Sequence, residues 1–208
     1  MLREGFFPPS TQPQFMVNYW LPQGASIRTT SEDMRRIEDY LLSRDEVVAV
    51  SSFVGSSAQR FQLTYGPEDP NPSYGQLIVE VEDRRQIETL AREVYDYIRA
   101  ELPNGEPVVN LFELGPGGAF KVRARFSGPD PVVLRELAEE AQGIISASGL
   151  AQIATTDWRQ KVMVLEPQFS EAQARRTGID RPQLSRALNR ATEGTVVGFY
   201  RERDELIP

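Results

Sequence analysis

Lys121, Arg123 and Arg125 stand at alternate positions, and Gly115-Pro116-Gly117-Gly118 lies just before them. This is the nearest approach in the chain to a phosphate-cradling loop. Such a loop needs a Lys followed by Ser or Thr and then a helix N-terminus whose N–H groups face the anion. Here the glycines run into an extended basic segment, so they read as a hinge, and the basic strip reads as a solvated or ion-paired sheet face. The acidic pairs Glu32-Asp33 and Glu139-Glu140 fall on charged helix faces, where carboxylates are ordinary surface groups. Acid–base chemistry needs two carboxyls facing each other across a cleft, and nothing in the spacing provides that. Histidine and cysteine are both absent. Their absence excludes Ser-His-Asp and Cys-His nucleophiles, zinc held by His or Cys, disulfides and thiol redox centres. The expectation is no enzyme, no catalytic residue, no metal ligand and no cofactor.

Apolar contact is the chemistry that remains. Phe6, Phe7, Trp20, Phe53, Phe61, Phe112 and Trp158 fall at strand ends, or on strand positions opposite those that would pack on helices. The commoner use of such residues is a contact between two sheets. The functional use is a greasy cleft that accepts amphiphilic molecules.

These residues need a scaffold, and periodicity supplies one. From Gln14 to Leu21, Phe15, Val17, Tyr19 and Leu21 alternate with Gln14, Met16, Asn18 and Trp20, as in a strand with one face buried. Met34, Ile37 and Leu41 then mark a helix. Strands are predicted at 47–54, 61–65 and about 77–81, with a proline-rich loop at 66–72. Asp83 and Gln86 have the spacing of a capping box, opening a helix with Ile87, Leu90, Val94 and Ile98 on its apolar stripe. A strand over 108–114 closes the set. The expected core combines Met34, Ile37, Leu41, Ile87, Leu90 and Val94 with Phe61, Leu77 and Val79. The class is α+β, and the order, allowing for one extra hairpin strand, is β-α-β-β-α-β, the ferredoxin-like split βαβ arrangement.

The pattern restarts after the glycines. A strand is predicted at 120–126 and a helix opens at Asp130-Pro131, a capping carboxylate followed by proline at the first helical position. Leu134, Leu137, Ala141, Ile144 and Ile145 carry its apolar face, Gly149 its end, and a strand is predicted at 152–156. This strand–helix–strand repeats the start of the chain but lacks a second half. A strand at 161–165, two short helices capped by Ser170 and Asp180, and a strand at 195–200 follow instead. Charge divides the chain at the same place. Residues 119–208 hold 13 basic and 12 acidic side chains, leaving 10 and 18 before them, within a net charge of −7. That balance argues against a nucleic-acid partner. Apolar runs such as Val47-Val48-Ala49-Val50 are too short to span a bilayer, and Met1-Leu2-Arg3-Glu4-Gly5 lacks the apolar stretch of a signal peptide.

Phe6-Phe7-Pro8, followed by Gln14-Phe15-Met16-Val17-Asn18-Tyr19-Trp20-Leu21-Pro22-Gln23-Gly24-Ala25-Ser26, resembles a segment of the inner-membrane subunits of resistance–nodulation–division efflux transporters. That segment leaves a membrane helix and enters a periplasmic loop. The helix to Leu42, the strand ending at Phe53-Val54-Gly55, and Leu114-Gly115 to Phe126 resemble its continuation. Leu165-Glu166-Pro167 to Gln173-Ala174, with Thr177-Gly178-Ile179 and Leu184, is similar to the family's next block. The loop Val54-Gly55-Ser56-Ser57-Ala58-Gln59-Arg60 is less aromatic than in multidrug members, and the family's membrane helices and intramembrane carboxylates are missing from this stretch.

The resemblance implies three blocks. Residues 1–117 would be a ferredoxin-like porter subdomain, 118–158 the first half of a second porter subdomain, and 159–208 the start of an inserted docking or funnel subdomain. It implies a proton-driven exporter whose periplasmic portion carries part of the substrate path, with Phe53, Asn110 and Phe112 beside the porter cleft. It also implies amphiphilic small-molecule substrates and, in the intact protein, a homotrimer working with a periplasmic adaptor and an outer-membrane channel. An isolated piece with an unpaired strand edge at 120–126 or 152–156 is expected to self-associate. The rival readings are a cytoplasmic ferredoxin-like regulatory module that binds a small ligand, and a carboxylate-based hydrolase.

Overall fold

The computed structural model describes residues 10–62, 64–112, 120, 122–151 and 153–207. Phe6, Phe7, Gly115 to Gly118 and Lys121 therefore lie outside the described residues. The chain divides into two compact units, Met1–Val162 and Met163–Pro208.

In the first unit the strands β1 (Gln14–Trp20), β2 (Val47–Val54), β3 (Tyr74–Val81) and β4 (Glu106–Leu111) form one sheet in the order β2-β3-β1-β4. Every neighbouring pair is antiparallel. Helix α1 (Ile27–Leu42) joins β1 to β2, and α2 (Ile87–Glu101) joins β3 to β4. Their starts are set by local hydrogen bonds. The Ser26 hydroxyl accepts from the Arg28 N–H, while Asp83 and Gln86 exchange the two bonds of a capping box around a short 3-10 turn at Arg84–Gln86.

Alternation along the strands decides which face is buried. Phe15, Val17 and Tyr19 on β1 and Leu77, Val79 and Val81 on β3 are sealed against Met34, Ile37 and Leu41 of α1 and Ile87, Leu90, Val94 and Ile98 of α2. Both helices thus cover one sheet face and share one core. Close approach is built in at Gly75, where a Cβ would collide with the Met34 side chain of α1.

Two expectations about this unit are corrected. The described residues of 61–65 form no strand but part of a loop, and Phe61 is half exposed and outside the core. The loop has bonds of its own: the Tyr65 N–H donates to the Gln62 carbonyl, and Ser57 Oγ accepts from the Glu68 N–H. The strand expected at 108–114 is β4, beginning at Glu106 and ending at Leu111.

Helix α3 (Pro131–Ala147) starts as expected, the Asp130 carboxylate accepting from the Val132 N–H, and Gly149 takes a left-handed φ of 66° just past its end. Its apolar face stays largely open, with Leu137, Ile144 and Ile145 all exposed. The described residues of 120–126, 152–156 and 161–165 form no strand. A strand needs a partner's N–H and C=O groups, and none of the described strands is paired with these segments.

In the second unit α4 (Glu171–Thr177) ends at Gly178, whose φ of 71° makes the left-handed cap. Helix α5 (Arg181–Thr192) opens on a full capping box between Asp180 and Gln183. Ser170 caps α4, its side chain accepting from the Gln173 N–H. The strand expected at 195–200 is instead a small hairpin of β5 (Tyr200–Glu202) and β6 (Glu205–Ile207), turning through Arg203 at a φ of 57°. No helix among the described residues is long and apolar enough to cross a membrane.

Candidate functional site

The register of the sheet assigns the face that the helices leave uncovered. Phe53, Gln76, Asn18 and Val108 form one row across the four strands, and Ser51, Ile78, Met16 and Asn110 form the next. Tyr74, Trp20 and Glu106 make a third row at one end. Side chains alternate along a strand, so all of these point away from α1 and α2.

This face is not bare. The loop between β2 and β3 folds over its middle and is fastened there by one buried amide. The Gln76 Oε1 accepts from the Ala58 N–H at 3.0 Å and from the Tyr65 hydroxyl at 3.0 Å. Its Nε2 donates to Asn18 Oδ1 at 2.9 Å, and the same oxygen accepts from the Tyr74 hydroxyl at 2.6 Å. Gln76, Tyr65, Ala58 and Tyr74 are all buried. Each donor and acceptor in this set finds a partner, the condition under which a buried polar network stabilises. Burial pushes the Tyr74 phenol well above its usual range, and the charge of Glu68 adds to the shift. Phe61 continues the cover, tilted on Tyr65 at 4.8 Å and edge-on to Phe112 at 5.7 Å between ring centres.

The third row is closed by a strap, residues 156–160. The Arg159 guanidinium lies 3.5 Å from the centre of the Trp20 ring, and Trp20 leans on Tyr74 at 4.4 Å. Arg159 Nη1 is 3.9 Å from Glu106 Oε2, an ion-pair separation too long for a hydrogen bond, and that nitrogen is buried with no hydrogen-bond partner. Burial lowers the Arg159 pKa from its ordinary value, against the pull of Glu106 and Glu68. Gln160 Nε2 donates to Glu106 at 3.4 Å, and Gln160 Oε1 accepts from the Gln23 N–H at 3.4 Å. Helix α3 holds the other side: Arg135 Nη1 donates to the Arg159 carbonyl at 2.9 Å and its guanidinium sits 5.5 Å from the Trp158 ring centre.

The three residues expected beside a cleft share this face but do not meet. Phe53 is on the outer strand β2, while Asn110 is on β4 and Phe112 just beyond it, at the opposite edge. Three strand spacings separate the edges, roughly 14 Å. Phe112 is buried under Phe61, and Phe53 and Asn110 are half-buried. Trp20 and Trp158 come to the strapped end. Gln76, Tyr65, Glu106 and Arg159 were not singled out from the sequence. The one available signal was Gln76 itself, a polar residue in the otherwise apolar run Gly75 to Val79. Among the described residues, no group of three or more carboxylates could hold a metal ion.

No protein-family pattern matches the sequence, and no curated protein resembles it in sequence. Solved structures do resemble it in fold. Two crystal forms of a heavy metal efflux pump superpose on 97% of this chain, with TM-scores of 0.69 and 0.68 at 18% and 17% identity. The chain spans about a fifth of the length of those pumps, 22% and 21%. The transporter resemblance read from the residues is therefore matched by the fold, which is that of a segment of an efflux pump.

Proposed function

We propose that the chain is the periplasmic portion of a proton-driven resistance–nodulation–division transporter in the inner membrane. The observation that carries this is the agreement of two independent likenesses, of residue motifs in order along the chain and of fold over 97% of it. Residues 1–117 are then a ferredoxin-like porter subdomain, whose strand order β2-β3-β1-β4 and one-sided helices suit the split βαβ arrangement. Residues 118–158 begin a second porter subdomain and 159–208 the docking subdomain inserted into it.

In this reading the chain breaks no bonds. It contributes a surface to a cleft that opens and closes as proton flow elsewhere shifts the populations of its states. Capture rests on apolar contact with a few polar anchors, with Phe53, Asn110 and Phe112 on the path. Amphiphilic molecules are the substrate class. Metal ions are the second class to test, because the pumps with the same fold are described as exporting heavy metals. The working form is a trimer coupled to a periplasmic adaptor and an outer-membrane channel.

The test uses the complete coding region in efflux-deficient cells. Flanking sequence should encode membrane helices on both sides, and expression should lower accumulation of an amphiphilic dye or raise metal tolerance in a proton-gradient-dependent manner. Phe53→Ala or Asn110→Ala should weaken export with the protein level unchanged. A reading frame without flanking membrane helices would overturn the reading.

A further inference from the structure

We propose that the Trp20, Tyr74 and Glu106 end of the sheet is a binding site for an organic cation of the alkylguanidinium or alkylammonium class, occupied here by the chain's own Arg159. The components of such a site are an aromatic face and a nearby carboxylate, which together attract a cation and strip it of little water. Both are present. Trp20 offers a ring face, Tyr74 buttresses it at 4.4 Å, and Glu106 stands 3.9 Å from the cation seated there. The guanidinium is 3.5 Å from the ring centre, close enough to define the seat.

Arg159 fills the seat imperfectly. Its Nη1 is buried without a hydrogen bond, an arrangement that costs free energy. Its backbone takes a φ of 47°, a left-handed conformation unfavourable for a residue with a side chain. The neighbouring strap contacts through Gln160 are both 3.4 Å long. A free cation could turn its donors toward Glu106 without either penalty. The strap is also tied by Arg135 to α3, so displacement of that helix would draw Arg159 off Trp20 and open the seat. Arg159 is thus an internal stand-in for the ligand, and its withdrawal is the step that admits one.

The test is binding to the 208-residue chain, which requires no transport, so its outcome is separate from whether the chain belongs to a pump. The chain has two tryptophans, and Trp158→Phe leaves Trp20 as the only indole reporter. In that background ethylguanidinium is titrated at constant ionic strength, with neutral ethylurea as the control. With Arg159→Ala added, ethylguanidinium should give a saturable change in Trp20 fluorescence, roughly tenfold tighter than with Arg159 in place. Ethylurea should give none, and Glu106→Gln should weaken the response. Should Arg159→Ala fail the circular dichroism check for folding, Arg159→Gln keeps the side-chain stem and removes the charge. A folded variant with no saturable response, an equal response to ethylurea, or indifference to Glu106→Gln would each show that Arg159 is only a brace.

Discussion

Gln76 holds more of this structure than any single side chain on the uncovered face. Its amide bonds the Ala58 N–H, the Tyr65 hydroxyl and Asn18, and it is almost wholly buried. Gln76→Ala would leave the buried Ala58 N–H without its partner, while the Tyr65 hydroxyl keeps the Ala58 carbonyl and Asn18 keeps the Tyr74 hydroxyl. One stranded polar group costs about 1–3 kcal/mol. We expect a urea-unfolding loss in at least that range, with faster proteolysis within residues 58–65; unchanged stability would mean the network is hydrated. The buried phenols give a pH prediction. Burial, and for Tyr19 its 2.8 Å hydrogen bond to Asp33, pushes the Tyr19 and Tyr74 pKa values well above the usual phenol range. In the unfolded chain they ionise near pH 10, while in the folded chain they stay neutral. Their contribution is therefore complete below about pH 10 and lost as the pH rises beyond it. Urea midpoints measured from pH 9 upward should fall, and Tyr19→Phe should flatten the decline. Little of this was legible beforehand, because a hydrogen-bond network depends on which residues meet across strands and loops, and a single sequence does not give those meetings.

Helices and strands differed in legibility for a physical reason. A helix closes its hydrogen bonds within itself, so Asp83, Asp130, Ser170 and Asp180 announced the starts of their helices. A strand closes its bonds on a partner elsewhere, so the alternation in 120–126 could indicate an extended segment but not supply a neighbour. Residues 61–65 misled in another way. Phe61 and Tyr65 do point to one place, but they do so as a loop packed on the sheet rather than a strand within it. Packing also separates two helices that look alike in sequence. Leu90 of α2 is buried, so Leu90→Ala should cost about 2–5 kcal/mol in urea melts. Ile144 of α3 is 64% exposed, and Ile144→Ala should change stability by no more than about 0.5 kcal/mol. Equal losses from the two substitutions would mean that α3 is packed against something in solution.

At the scale of the whole molecule, the alternation of β1 and the stripes of α1 and α2 were enough to anticipate a one-sided sheet, since eight of the nine anticipated core residues are buried and Phe61 alone is not. The same reasoning anticipated a second sheet edge at 120–126 or 152–156, and the described residues there form no strand. The described residues of those segments offer no strand edge to pair, whereas apolar exposure is present. In the first unit Val122, Ile144 and Leu150 are exposed, and in the second Met163, Val164, Leu165, Val197 and Phe199 are exposed. The outer strand β2 adds Val48, 57% exposed on an edge available to another chain. Apolar surface of this extent is stabilised by contact with a partner or with another copy. We therefore expect the isolated chain to self-associate, with light-scattering mass rising over a concentration series. Leu165→Lys with Val197→Lys should reduce that rise, because each places a charge where contact would have to desolvate it. Val48→Lys should reduce it only if β2 takes part, which separates edge pairing from surface contact. A mass fixed at that of one chain up to high concentration would mean that these apolar side chains cover one another in solution.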